Sequence, residues 1–323
     1  MKQKIVLAGS VAYDYIMSFP GHFSDHILPE HIDRLSVSFL VDWMRKERGG
    51  VATNIAYTLA LLGERPMVMA TVGQDFGEYR QVLEARGADT SAIKVIPDKF
   101  TASFFVSTDL DNRQIANFYT GAMAHAGELS FHDLDYDRIR LAVVSPTDPG
   151  AMATYVRECR DLNIPLLYDP SQQIIRLSAD DLLEGIRASR VLVVNDYELG
   201  LIEKKTGLSS WELRALVPTL VVTRGEHGSI IVSDGTVYEI PVAPPSEIAD
   251  PTGVGDAYRA GFIKGYLHDA DWETCGRLGA LAATYCLEQV GTQNHTFTPD
   301  QFLARFRQVF GGSQEVADLL GTG

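Results

Sequence analysis

The residues best placed to do chemistry lie late in the chain. Asp250, Pro251, Thr252, Gly253, Val254, Gly255 and Asp256 run directly into a segment of helical period, Ala257 to Leu267. Two glycines one residue apart let a backbone turn its N–H groups into one concavity, and the positive end of the following helix favours an anion there. A phosphate suits that cradle. Asp256 stands where an incoming phosphoryl group would be held, so its carboxylate can take the proton of an attacking hydroxyl. Gly253, Val254 and Gly255 would then offer backbone donors to the charge that develops during transfer. The stretch is not a Walker loop, because no GxxxxGK[ST] occurs, and no GxGxxG follows the first strand. Taken alone, Gly-x-Gly-Asp before a helix is equally an ordinary N-cap with loop glycines.

Such a cradle needs a scaffold, and short apolar runs alternating with helical segments point to a parallel sheet with helices on both faces. The spacing predicts strands at Ile5 to Ala8, Met67 to Val72, Leu141 to Val144, Pro165 to Tyr168, Val191 to Val194 and Leu220 to Thr223. Helices are expected at Val51 to Leu62, Glu78 to Ala85, Ala151 to Asp161, Tyr197 to Lys205, Asp256 to Leu267, Trp272 to Gln289 and Pro299 to Val309, with a late hairpin at Ser233 to Gly235. Two regions break the alternation. Residues 15–48 have little regular period, and Thr101 to Tyr119 holds two β-rich runs joined by the turn-forming Asp109 to Asn112. These read as a small lid sheet formed by two insertions, at about 15–48 and 100–120, on one α/β domain spanning 1–323. No repeat or Pro/Ser-rich linker divides the chain.

The formal charge is −14, and no basic run interrupts it, so phosphate backbones and anionic lipid are not expected as partners. Hydrophobic residues at 46% and charged residues at 22% are the proportions of a chain with an ordinary core. Three widely spaced cysteines form neither a disulfide framework nor a CxxC pair, which suits a reducing compartment. The first apolar run breaks at Gly9 and Ser10 and meets Asp14, so it reads as a buried strand rather than an export signal, and a cytoplasmic location is expected. His22, His26 and His31 lack Cys or carboxylate partners at a metal-binding spacing and read as a solvated lid face. Met67 and Met69 are core residues of a strand.

Taken in order, these segments resemble the signatures of the ribokinase-like (PfkB) family of carbohydrate and nucleoside kinases, over nearly the whole chain. Asp250 to Asp256 is similar to the family's D-[TP]-T-G-A-G-D, with Val254 in place of alanine, a change that keeps the backbone donors. Gly49, Gly50, Val51, Ala52, Thr53, Asn54, Ile55 and Ala56 look like GGxxxNxA. Asn195 to Glu198 looks like NxxE, and Thr223 to Gly228 like TxGxxG. The resemblance implies a three-layer sandwich with a central, mostly parallel sheet and a small β-sheet lid. It implies ATP with magnesium as donor, Thr252, Asn195, Thr223, Gly225 and Gly228 on the ATP side, and Asn195 and Glu198 acting on the metal largely through water. It places Gly49, Gly50 and Asn54 on acceptor hydroxyls. Asp14, expected at the end of the first strand and its turn, would take two neighbouring hydroxyl protons, as an acceptor-only carboxylate can. Many relatives also need a monovalent cation such as potassium beside the anion-binding loop, which the sequence leaves open. Each motif has a plainer reading: a Gly-Gly loop, a turn aspartate, a capping box at Asn195 and Glu198, a hairpin turn at Thr223 to Gly228.

Asp111 to Asn117, DNRQIAN, resembles the lid stretch of adenosine kinases that begins DNR and ends AN, and the opening GSVAYDYIMSFPGHF is similar to microbial nucleoside kinases. Arg113 would then approach the transferred phosphate, or else be a solvated turn arginine. Phe19, Phe23, Phe104, Phe105, Phe118 and Tyr119 would wall a nucleobase, or form the lid's own core. The resemblance therefore implies a nucleoside acceptor, adenosine at its 5′-hydroxyl first, with a sugar kinase and a non-catalytic small-molecule sensor as alternatives. The lid's apolar face leaves a monomer or a lid-mediated homodimer open.

Overall fold

Strands that are apolar at every position belong inside a sheet covered on both faces, and the computed structural model places them there. It describes residues 4–27, 33–34, 36–312 and 314–322. Along the chain, β1 (Lys4–Ala8) is followed by β2 (Ala12–Ser18), β3 (Trp43–Gly49), helix α1 (Val51–Leu61), β4 (Met67–Val72), α2 (Gly77–Arg86) and the short β5 (Ile93–Val95). Then come β6 (Ala102–Thr108), β7 (Gln114–Tyr119), β8 (Ile139–Val144), α3 (Pro149–Asp161), β9 (Leu166–Tyr168), α4 (Ala179–Ala188), β10 (Val191–Asn195) and α5 (Asp196–Thr206). The last part holds α6 (Ser210–Arg214), β11 (Thr219–Thr223), β12 (Ser229–Ser233), β13 (Thr236–Ile240), α7 (Val254–Leu267), α8 (Trp272–Leu287), α9 (Pro299–Phe310) and α10 (Gln314–Leu319).

Nine strands form the large sheet in the order β13-β12-β11-β10-β9-β8-β1-β4-β5. Pairs made by β12 are antiparallel and the others parallel. Successive residues of β1 serve opposite layers, as a period of two requires. Ile5 and Leu7 join a core with Ile55 and Phe262, while Val6 and Ala8 join one with Met152, Tyr155 and Leu182. From β1 the chain moves to β4 and β5 on one side and returns through β8 to β11 on the other. Strand order thus reverses between β1 and β8, where open α/β sheets leave a crevice for ligands. The strand ends there pinch together: Ser10 N–H donates to Pro146 O at 2.8 Å.

A second sheet, ordered β3-β2-β6-β7, takes its four strands from two stretches of chain, 12–49 and 102–119. Asp14 pairs in register with Glu47 and Phe104, and Phe104 with Phe118, so these four share one face. Tyr15, Lys46, Phe105 and Asn117 lie on the other. One expectation is corrected here. Asp14 does not end the first strand, because β1 stops at Ala8; it is the third residue of β2 and belongs to the small sheet.

Phe19 and Phe23 stack at 5.3 Å and, with Phe39, form a small core against which His26 packs edge-on. His31 lies outside the described residues. All three cysteines are buried and unpaired. Among the described residues no helix is long and apolar enough to cross a membrane.

Candidate active site

Helix α7 starts at a backbone reversal that only glycine accommodates. Gly253 has φ +78°, and a Cβ there would lie 2.8 Å from Thr292 Cβ. Asp250 braces the loop, accepting the N–H groups of Thr252 at 2.9 Å and Gly291 at 3.0 Å. Burial raises the Asp250 carboxyl, but these bonds outweigh it and hold it below the usual range. Asp256, in the first turn of α7, is buried. Its Oδ2 accepts Asn54 Nδ2 at 2.8 Å and its Oδ1 faces Arg259 Nη1 at 3.4 Å. Burial pushes the Asp256 carboxyl up, opposed by the Arg259 charge and the Asn54 bond. The first N–H groups of a helix have no partners within it, so the Gly253 to Gly255 turn and the start of α7 present donors beside that carboxylate.

Behind Asp256 lies a pair that the sequence reading did not single out. Arg259 Nη2 donates to Asp169 Oδ1 at 2.7 Å, and Asp169 is fully buried. Burial pushes the Asp169 carboxyl up to about 7; Arg259 opposes this, while Glu198 and Asp256 add to it. Three buried carboxylates, Asp169, Glu198 and Asp256, therefore surround one guanidinium. The available signals were an arginine three residues after Asp256 and an aspartate directly after β9.

On the other side of the Gly253 to Gly255 turn opens a cavity of about 640 Å³ lined by Asn195, Thr223, Gly225, Gly228, Val254 and Gly255, with apolar Val242, Ala280 and Leu287. Six of the expected residues thus meet in one place. Gly228 makes the turn possible, since a Cβ there would lie 2.1 Å from Ile240 O. Thr252 and Glu198 are adjacent to the cavity walls rather than part of them. Asn195 caps α5 in a closed box: its Oδ1 accepts Glu198 N–H at 2.7 Å, and Glu198 Oε2 accepts Asn195 N–H at 2.8 Å. Glu198 Oε1 takes Ser171 Oγ at 3.0 Å. The plainer reading of this motif as a cap holds.

Asp14, Gly49, Gly50 and Asn54 gather on the opposite flank of Asp256. Gly50 has φ +98°, and a Cβ there would lie 2.6 Å from Ser10 O. A Cβ on Gly49 would meet Asp14 Oδ2 at 2.6 Å. Burial, then the charges of Glu47, Asp250 and Asp256, push the Asp14 carboxyl up to about 6. Asn54 is buried between Asp256 and a segment the sequence reading passed over, its Oδ1 taking Thr292 Oγ1 and Gln293 Nε2, each at 2.8 Å. Of the aromatics, Phe104 and Phe118 share the face of Asp14, whereas Phe105 stacks on Tyr15 at 4.7 Å on the reverse.

Arg113 is not brought to this site. It lies in the turn joining β6 to β7, 3.1 Å from Asp111 Oδ2 and 3.4 Å from Ser24 Oγ, at the end of the sheet away from Asp14. His22 has carboxylate neighbours that its sequence spacing did not indicate, with Nδ1 3.1 Å from Asp111 Oδ2 and Asp109 close by. The Asp109 oxygens already accept the N–H groups of Phe23, Asp111 and Arg113, so the cluster locks the turn.

The whole chain, and not this site alone, has known counterparts. The nucleoside kinase of Methanothermobacter thermautotrophicus is 32% identical over 310 residues, which cover 95% of this chain and 96% of that one. The Burkholderia thailandensis nucleoside kinase, solved in complex with inosine, superposes with a TM-score of 0.86 at 36% identity, covering 95% of this chain and 99% of that one. The Methanocaldococcus jannaschii nucleoside kinase, described as an archaeal member of the ribokinase family, gives 0.85 at 29% identity over 95% and 99% of the two chains. The two-sheet architecture is therefore the ribokinase-like one. Residues 2–299 match the pfkB family of carbohydrate kinases, and the chain belongs to that family of phosphotransferases with an alcohol acceptor.

Proposed function

We propose that this kinase transfers the γ-phosphoryl group of ATP to the 5′-hydroxyl of a nucleoside, adenosine first among them. The observation that carries the reading is the position of Asp256, buried at the start of α7 with the cavity on one side and Asn54 and Asp14 on the other. ATP occupies the cavity with its phosphates toward Gly253, Val254 and Gly255. Asp14 accepts two ribose hydroxyls, and Phe104 and Phe118 flank the base. Asp256 takes the proton of the attacking 5′-hydroxyl while the backbone donors stabilise charge on the transferring group. The nucleoside assignment draws on the likeness to enzymes named nucleoside kinases, one of them solved with inosine.

Magnesium fits the donor side, because Asp169, Glu198 and Asp256 outnumber Arg259 in charge and Asp169 Oδ2 is buried without a partner. Asn195 and Glu198 would hold it through water, and bound there it would neutralise phosphate charge. Each Asp250 oxygen accepts one backbone N–H and keeps a further lone pair, so a monovalent cation beside this loop is compatible with the reading.

The small sheet acts as a lid that excludes water during transfer. Its reverse face carries exposed Met44, Phe105, Ile115 and Tyr119, which a homodimer would cover; sedimentation separates that from a monomer. A cytoplasmic setting suits the three free thiols. Incubation with ATP, magnesium and adenosine should yield AMP and ADP. Turnover with ribose or fructose and with no nucleoside would reject the acceptor, and binding without turnover of any acceptor would make the chain a sensor.

A further inference from the structure

Asn54 and Asp256 are held by a hydrogen-bond chain whose every direction follows from the carboxylate. An ionised carboxylate only accepts, so Asn54 must present Nδ2 to Asp256 Oδ2, 2.8 Å away. That turns Asn54 Oδ1 the other way, toward Gln293 Nε2 and Thr292 Oγ1, each at 2.8 Å, and both must donate. The single Thr292 hydroxyl proton is shared, because Arg48 O also lies 2.8 Å from Oγ1. Gln293 has two amide protons, one for Asn54 and one for the Tyr79 hydroxyl. Tyr79 passes the direction on, donating to Gly49 O at 2.9 Å.

The chain is closed to bulk water: Asn54 is 5% exposed, Thr292 4%, Gln293 4% and Tyr79 1%. Gln293 Oε1 is buried with no partner among the described residues. Buried carbonyl oxygens are rarely left so. Turning the amide over would not mend this, because it would set oxygen against oxygen at Asn54. The orientation that leaves Oε1 alone is the one that serves Asn54. Neither Gln293 nor Thr292 belongs to the motifs from which the site was read.

We infer that Gln293 is a positioning residue, which through the Asn54 amide aims Asp256 at the attacking hydroxyl and through Tyr79 ties that aim to the Gly49 carbonyl on the acceptor side. The inference rests on the phosphotransfer reading of Asp256. Small errors in the placement of a base are costly, a 1 Å displacement reaching about 100-fold in rate.

The test is a double-mutant cycle on the full chain with ATP, magnesium and adenosine. Gln293→Met keeps the bulk and removes both donors; kcat should fall by about 10- to 100-fold, with KM for ATP unchanged within about twofold. In an Asn54→Ala background the same substitution should cost less than about twofold more, because its route to Asp256 is gone. Equal losses in both backgrounds, or a lowered melting temperature with unchanged kcat, would overturn the inference. Should the Met variant not fold, the same cycle is run with Gln293→Leu, which likewise removes both donors and carries the same expectation. An unaltered chain that transfers to no acceptor defeats the functional reading, whereas an active one with additive losses defeats the role of Gln293 alone.

Discussion

The two flanks of Asp256 are built differently. The donor flank stands on the ends of parallel strands β10 and β11, with α5 capped, the cavity open and its lining fixed by the large sheet. The acceptor flank is completed by a four-stranded sheet whose edge strand, β7, is exposed at all six positions. One flank is part of the nine-stranded sheet, and the other depends on a smaller sheet with a solvent-exposed edge. Asp256 belongs to the fixed side but is aimed from both, by Arg259 from its own helix and by Asn54 from α1.

The largest expected effect removes what the flanks share. Asp256→Asn should lower kcat by about 10³-fold or more while leaving the dissociation constants of ATP and adenosine nearly unchanged; a variant retaining the wild-type rate would end the proposed mechanism. Arg259→Met tests the fixed side alone. It strands Asp169 and Asp256 without their cation, and breaking a buried pair costs about 3–5 kcal/mol, visible in thermal unfolding. Without Arg259 the Asp169 carboxyl is pushed higher still, so once pH passes the wild-type value of about 7 the wild type stops losing stability through this group while the variant goes on losing it. The deficit of the variant should therefore widen from pH 5 to pH 8, and a constant deficit would contradict the buried-charge account.

Asp14→Asn tests the acceptor side. It should raise KM for adenosine by about 10- to 100-fold, the worth of one or two hydrogen bonds to a charged group, with KM for ATP unchanged. Because binding needs Asp14 ionised and its carboxyl titrates at about 6, adenosine affinity measured calorimetrically without ATP should fall as pH drops through that value. An affinity flat from pH 5 to pH 8 would remove Asp14 from the acceptor. The smallest effect compares neighbours on opposite faces. Phe118→Ala should weaken adenosine about fivefold through lost base contact, while Tyr119→Ala should leave KM alone and, if a dimer forms, loosen it.

Much of the frame was legible. Apart from Thr71, every residue of β1, β4, β8 and β9 after the first or second is apolar, and such runs have few alternatives to a doubly covered strand. Gly50 before α1 and Gly253 before α7 were legible because positive φ and close contacts leave no other residue there. Helix α4 lies outside the expected helices, although Leu182 and Ile186 have helical spacing and Ser178 caps it. At three residues, β5 is too short to show a period. The supports of Asp256 were not legible because they join residues far apart: Asn54 is 202 positions from Asp256, and Asp169 is 90 from Arg259. Of the two readings of Arg113, phosphate contact or turn arginine, the structure has the second, because the Asp109 turn folds back on itself and keeps the arginine beside Asp111.

The burial of Cys159, Cys275 and Cys286 has a practical consequence. Alkylating dyes attack thiolates, and burial pushes all three thiols up, that of Cys286 to about 12, with Asp256 and Asp250 adding to the shift. A fluorophore attached through Gln114→Cys, on exposed β7, should therefore label one place without any native cysteine being replaced, and its emission would report in real time whether that strand moves when nucleoside is mixed in.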